Sequence, residues 1–271
     1  MLHRILITLI IALATITATA QSLEVRAGLN LKNILHNLIS QHKDLGYDRL
    51  WDAYATTDWH PATAQYPNGY LWDVYSNVVN TNFQTKGSTN SSVEGKVYNR
   101  EHTVPQSWFN QASPMKADLF QVYPVDGIVN SLRNDHPYGD VLSIKSGSND
   151  NYSKYGPPTP ECGAPVNVFE PADEYKGDLA RTYFYMVVCY QDKINEWSGP
   201  VFGQTDKYSD FQGYPGMTEW ELRTLLRWSQ QDPVSQKERD RNEAVYKLQG
   251  NRNPFIDCPG LERFIWSEYL E

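Results

Sequence analysis

The stretch from Val97 to Asp135 constrains this chain more than any other. It begins as an extended segment, VYNR (Val97 to Arg100), which runs into Glu101-His102 and is stopped by Pro105, a residue with no N–H for a strand ladder. A second extended segment, DLFQVY (Asp118 to Tyr123), leads into Pro124-Val125-Asp126, where a helix is expected to begin. The pattern is a short strand pair feeding a helix. On that helix Asn130 and Arg133 stand three residues apart, hence on one face. Strict alternation sets Glu101 and His102 on opposite faces of the first strand. Both can serve one site only if the chain bends there, or if the site lies beside the strand's end.

The remaining periodic segments are helical, so the expected class is α+β and mainly helical. A helix is expected over Leu29 to Gln41, with Leu31, Ile34, Leu35 and Leu38 in helical spacing. Trp51 to Ser76 is rich in aromatics and ends in LWDVYS, which reads as core rather than site. Lys86 to Glu94 is a polar loop, and Asn149 to Pro165 is a turn-rich surface segment expected to hold no regular element. Asp178 to Asp192 reads as a largely buried helix. Thr218-x-x-Glu221 and Ser235-x-x-Glu238 both fit the capping box, with Asp232-Pro233 between the two helices and Gly250 as a stop for the second. The chain shows no internal repeat.

Met1 to Ala20 is expected to be a signal peptide: a short basic start at His3 and Arg4, an apolar run from Ile5 to Ile16, and Ala18-Thr19-Ala20 for cleavage. Residues 21–271 would then form one domain, exported to periplasm or medium, with no membrane span in the mature form. A mature chain of about 250 residues can bury one substantial core. The net charge of -8 argues against binding polyanions by bulk charge, so any nucleic-acid site must be a focused basic groove. Cys162, Cys189 and Cys258 allow one disulfide and one spare thiol, or three buried thiols, and no two of them have zinc-finger spacing. No protein partner is implied, and a monomer is the default expectation.

The residue types around the strand pair suit phosphodiester hydrolysis. Glu101 and Asn130 offer hard oxygen donors for Mg²⁺, Ca²⁺ or Mn²⁺, and His102 can take a proton from water near neutral pH. Four ordered blocks make the signal specific: NREHTVPQSWF (Asn99 to Phe109), DLFQVYPVDGIVNSLRND (Asp118 to Asp135), EPADEYKGDLARTYFYM (Glu170 to Met186) and GNRNPFID (Gly250 to Asp257). In these the chain resembles the bacterial endonuclease I family of secreted nucleases, within the His-Me finger (ββα-metal) superfamily. The resemblance implies a metal finger embedded in a mainly helical, V-shaped molecule with a basic DNA-binding cleft. It implies His102 as general base, Glu101 and Asn130 as the protein ligands of one divalent ion, and 5′-phosphate and 3′-hydroxyl products from DNA and, as a further substrate, RNA.

Two departures fall on the phosphate contact. Phe120 stands where many relatives carry a His after Asp-Leu, and Asn110 to Ala117 is too short for the Arg-bearing, disulfide-bearing insert of some relatives. Arg133 is the preferred catalytic substitute, with Lys116 the weaker one, and Arg252 is the C-terminal cation most worth testing for a cleft. Most other C-terminal basics are interleaved with acids and read as an ordinary charged face. His36, His42, His60 and His136 read as surface or packing residues, and Tyr183, Phe184 and Tyr185 as core. The competing readings are a nuclease fold without activity and a secreted saccharide-binding or surface-binding protein, suggested by 8 Trp and 18 Tyr. A metallopeptidase is disfavoured because no His-Glu-x-x-His helix exists.

Overall fold

The computed structural model describes residues 21–87, 93–202 and 214–270, with side chains from residue 27 onward. The expected leader, Met1 to Ala20, and part of the Lys86–Glu94 loop lie outside these residues. The described fold is α+β, with 43% helix and 11% strand in small sheets. In chain order the longer helices are α1 (Gln21–Ile39), α2 (Leu50–Thr57), α3 (Gly127–Arg133), α4 (Asp173–Cys189), α5 (Glu219–Gln231) and α6 (Gln236–Gln249). The strands are β1 (Trp59–His60), β2 (Tyr70–Leu71), β3 (Tyr98–His102), β4 (Val122–Asp126), β5 (Ser146–Gly147), β6 (Lys154–Gly156) and β7 (Val168–Glu170). They form the sheets β1-β2, β3-β4 and β5-β6-β7, antiparallel throughout. Among the described residues no helix is long and apolar enough to cross a membrane.

Helix α4 organises the core. Every residue from Tyr175 to Cys189 is buried, because α5 and α1 pack on it from different sides and the short helix Pro254–Asp257 adds a third neighbour. A helix enclosed this way needs no polar stripe, which is why ARTYFYMVVC is apolar around its circumference. Its most deeply buried charge, Arg181, meets Glu238 of α6 through Nε at 2.5 Å and Nη2 at 2.8 Å. Glu238 also completes the Ser235 capping box, so the sequence signature at α6 holds, and Gly250 ends that helix at φ 87°. On α1, Leu31 and Leu35 face the core as expected, but Ile34 turns outward at 42% exposed.

Three expectations are corrected. The second motif strand is Val122–Asp126 rather than Asp118 to Tyr123. Asp118 forms a turn instead: its Oδ1 accepts the Phe120 N–H at 2.9 Å, and its carbonyl accepts those of Gln121 and Val122. Pro124 is tolerated in β4 because a two-stranded sheet leaves one edge of each strand unpaired. Second, β6 lies inside the segment expected to be irregular. It ends at Gly156, where a Cβ would stand 2.1 Å from the Ser143 carbonyl oxygen, so the ladder closes only with glycine there. Third, α5 has no capping box: Thr218 makes no side-chain cap, and Glu221 points into the core, fully buried, with neither oxygen hydrogen-bonded among the described residues.

Glu221 carries a stability consequence. Burial raises its pKa well above the ordinary value of 4.5, opposed only by the charge of Arg133. The folded state therefore holds a proton that the unfolded state releases, and stability falls as pH rises from about 4.5 through the raised folded value. Glu221→Gln should remove that descent, which amounts to at most about 1.4 kcal/mol per pH unit. Urea midpoints of parent and variant across the acid-to-alkaline range check this; parallel curves would show that Glu221 does not titrate with folding.

Cys162 and Cys189 are buried thiols outside any disulfide, and Cys258 is partly buried. Tyr183, Phe184 and Tyr185 lie in the core as expected.

Candidate active site

The β3-β4 pair places Glu101 opposite Tyr123 and His102 opposite Val122. Directly after β4, Asp126 caps α3, its Oδ1 accepting the Ile128 N–H at 2.8 Å and the Val129 N–H at 3.2 Å. The junction is anchored from a distance: Asp73 Oδ2 accepts the Asp126 N–H at 2.6 Å, while its Oδ1 accepts those of Tyr75 and Ser76. Burial pushes the Asp73 carboxyl up to about 7 even so. The helix is thereby folded back on β3. Asn130 Nδ2 lies 3.5 Å from the Arg100 carbonyl, and Arg133 reaches the carbonyls of His102 and Thr103. Asn130 and Arg133 do share the strand-facing side.

Glu101 and His102 take opposite faces, as alternation requires. On the α3 face Glu101 is buried, and its Oε1 accepts Tyr75 Oη–H at 2.7 Å and faces Arg133 Nη1 at 3.1 Å. Burial raises its pKa, with Arg133 and then the Tyr75 hydrogen bond working against that rise. No side chain among the described residues bonds Oε2. The carboxamide oxygen of Asn130 likewise accepts nothing among them. The Glu101 carboxylate and the Asn130 carboxamide oxygen, on adjoining elements, are hard donors that suit a cation such as Mg²⁺, which takes few protein ligands and keeps its waters. Arg133 is entirely buried, and its Cζ lies 5.0 Å from the Tyr138 ring centre.

On the other face His102 is packed between the rings of Tyr47, at 5.5 Å, and Phe109, at 6.3 Å. Its Nε2 lies 3.0 Å from the Lys116 carbonyl. A carbonyl can only accept, so Nε2 carries the proton and Nδ1 keeps the lone pair. Burial lowers the ring's pKa to about 4, with the charges of Lys116, Arg100 and Arg133 adding to that effect. The ring is therefore neutral at pH 7. The carbonyl that fixes its tautomer comes from the short loop between the two strands.

Tyr47, Tyr75 and Tyr138 were not singled out in the sequence. Tyr75 joins Glu101 to Tyr138, whose hydroxyl lies 2.5 Å from its own. No local signal separates a core tyrosine from one that holds a carboxylate. Phe120, the departure from the pattern of relatives, is buried against Tyr185 at 4.7 Å. Arg252 is committed elsewhere, paired to Asp257 at 2.7 Å and Glu243 at 2.7 Å, so it ties α6 to the following short helix. His36 bonds the Val188 carbonyl, while His60 and His136 stack on Tyr70 and Tyr155.

A second group of donor atoms lies away from the finger-like hairpin. His42, Asp118 and Cys189 bring one atom each within 4.8 Å of the others and could hold an ion. Asp118, however, already accepts Tyr185 and Tyr190 hydroxyls on Oδ2, and the Phe120 N–H and Gln249 amide on Oδ1. A carboxylate with four donors in place works as the hub of a buried polar network, fastening α4 and the end of α6 to the β4 turn.

With this geometry in hand, comparison with known proteins is informative. The Endonuclease I family description matches residues 27–260. The extracellular ribonuclease of Bacillus amyloliquefaciens is 32% identical over 255 residues, covering 89% of this chain and 75% of that protein. The extracellular ribonuclease of Bacillus subtilis is 32% identical over 262 residues, with 90% and 76% covered. An extracellular deoxyribonuclease of Aeromonas hydrophila is 27% identical over 154 residues, covering 55% of this chain and 52% of that protein. A family match across most of the length, together with two relatives aligned over most of this chain and three quarters of their own, establishes that this chain belongs to the Endonuclease I family and is a nuclease.

Proposed function

We propose that this chain is a secreted, metal-dependent endonuclease that cleaves both RNA and DNA with little regard for sequence. His102 is the general base, Glu101 and Asn130 are the ligands of one divalent ion, Mg²⁺ by preference, and Arg133 holds Glu101 and the end of β3 in place. Secretion is supported by relatives named extracellular or periplasmic and by the leader-like Met1 to Ala20. RNA is favoured as a substrate by the two ribonucleases that align over most of the chain, and DNA by the deoxyribonuclease that aligns over half of it.

The observation that carries the reading is the His102 ring, held by the Lys116 carbonyl at 3.0 Å in the tautomer that leaves Nδ1 unprotonated. Nδ1 takes a proton from water as the oxygen attacks phosphorus in line with the leaving 3′ oxygen. The phosphorus–O3′ bond breaks and the departing oxygen takes a proton from solvent, giving a 3′-hydroxyl and a 5′-phosphate. A divalent ion at Glu101 and Asn130 would neutralise charge on the scissile phosphate and the departing oxygen. Arg133 and the Tyr75 hydrogen bond favour the carboxylate form of Glu101 against the pull of burial. Nothing in this set reads a base edge, which fits phosphate-directed contacts.

Digestion of supercoiled plasmid and of a defined RNA, each with Mg²⁺ or with EDTA, tests the proposal. Cleavage of both should stop in EDTA and return on adding Mg²⁺, and the fragments should carry 5′-phosphates. RNA fragments ending in 2′,3′-cyclic phosphate would place the attacking oxygen on the substrate instead, and undiminished cleavage in EDTA would remove the metal from the reaction.

A further inference from the structure

We infer that Arg100 is the residue that grips the substrate phosphate, filling the position that neither Arg133 nor Arg252 can fill. The inference rests on the proposed nuclease reading of His102. Arg100 stands two residues before His102 on β3, hence on the same strand face. One ring connects them: Tyr47 lies 3.3 Å from Arg100 Cζ, 5.5 Å from the His102 ring and 5.0 Å from Lys116 Nζ. Trp51 lies 4.4 Å from Arg100 Cζ, and the Tyr47 carbonyl accepts from Nη1 at 2.7 Å. A guanidinium stacked between two aromatic rings and bonded at one nitrogen is held in a fixed orientation.

The rest of that guanidinium is unspent. Nε is buried without a hydrogen-bond partner, and Nη2 has no acceptor among the described residues. Asp48 meets only Nη1, at 3.5 Å, and its own side chain is 99% exposed, so it neutralises little. Nη2–H, which is not closed off, can donate to a phosphodiester oxygen, and displacing the side chains that cover Nε–H would complete the parallel fork that matches two such oxygens. A buried donor left unpaired carries a desolvation penalty that an incoming oxyanion relieves. By contrast Arg133 is entirely buried, and Arg252 is saturated by two carboxylates. Lys116, whose Nζ is bonded to Gln111 Oε1 at 2.9 Å, adds a second positive charge near Tyr47.

The test joins cleavage to binding. For cleavage, kcat/KM is measured for the parent, Arg100→Met and Arg100→Lys. For binding, the salt dependence of affinity for a short oligonucleotide is compared between His102→Ala and His102→Ala/Arg100→Met. Arg100→Met should lower kcat/KM on the order of 10- to 100-fold. It should also flatten the log–log salt slope by roughly 0.7 to 0.9, one phosphate contact, which a merely structural role would leave unmoved. Arg100→Lys keeps the charge and loses the fork, so it should retain the slope while kcat/KM still falls. If Arg100→Met does not fold, Arg100→Lys decides alone: a parental kcat/KM overturns the inference. An unchanged slope together with a parental kcat/KM in Arg100→Met overturns it as well. The two readings separate cleanly, because an active His102→Ala breaks the nuclease mechanism, whereas an inactive His102→Ala with an indifferent Arg100 breaks only this assignment.

Discussion

His102→Ala should lower turnover by about 10² to 10⁴-fold on RNA and DNA alike, the usual contribution of a positioned general base. KM should change little, since the imidazole acts on water rather than on the bound strand. The ring is neutral at pH 7, its pKa lowered to about 4 first of all by burial, and the Lys116 carbonyl fixes the tautomer that leaves the Nδ1 lone pair to accept a proton. Tyr47 and Phe109 line the space that the ring vacates, a flat slot between aromatic side chains. Imidazole added to the buffer should therefore restore part of the activity of His102→Ala. His102→Asn, which can still bond the carbonyl, should stay inactive and gain nothing, because its slot remains filled. Parental turnover in His102→Ala would move the base elsewhere, and equal rescue of both variants would show that imidazole acts from solution.

How far this site was legible in the sequence depends on the range of the interaction. Spacing within the helix put Asn130 and Arg133 on one face, and alternation within the strand split Glu101 from His102; both hold, because they follow from backbone periodicity alone. Of the two arrangements open to the pair, a bend or a site beside the strand's end, the opposite faces leave the second, since Glu101 and His102 are the last residues of β3; the carbonyl that fixes His102 lies fourteen residues on, between the two strands. Longer-range contacts were not legible. Tyr75 reaches Glu101 across 26 positions, and Arg100 reaches the Tyr47 carbonyl across 53. Glu221 shows the limit of local signatures: its capping-box spacing is the same as that of Glu238, yet only Glu238 turns back to its cap. Arg181 lies across from Glu238 and supplies a charge for the deep side of α6, whereas Glu221 has no such cation in contact.

Arg133→Met should destabilise the fold by about 3 to 5 kcal/mol, the range for breaking one side of a buried ion pair. Arg133 Nη1 serves Glu101 Oε1 at 3.1 Å and the His102 carbonyl at 3.0 Å, while Nη2 serves the Thr103 carbonyl. Its loss leaves a buried carboxylate without a cation and takes one donor from each of two buried carbonyls, of which Thr103 keeps the Tyr183 hydroxyl at 2.9 Å. Arg133 is the chief influence opposing the burial-driven rise of the Glu101 pKa, so the variant should shift Glu101 further toward its neutral acid and weaken its hold on a hard cation. The stability loss and the loss of Mg²⁺ affinity share one origin, and a double-mutant cycle exposes it. Glu101→Gln in the Arg133→Met background should recover a substantial part of the lost stability, because the uncompensated charge is gone, while the lost bonds to the His102 and Thr103 carbonyls account for the rest. Urea denaturation of the four proteins gives the coupling, and calorimetric titration with Mg²⁺ gives the metal term. Strict additivity of the two substitutions would mean that Glu101 and Arg133 are neighbours without energetic contact, and Arg133 would then act on the hairpin only through its bonds to the two carbonyls.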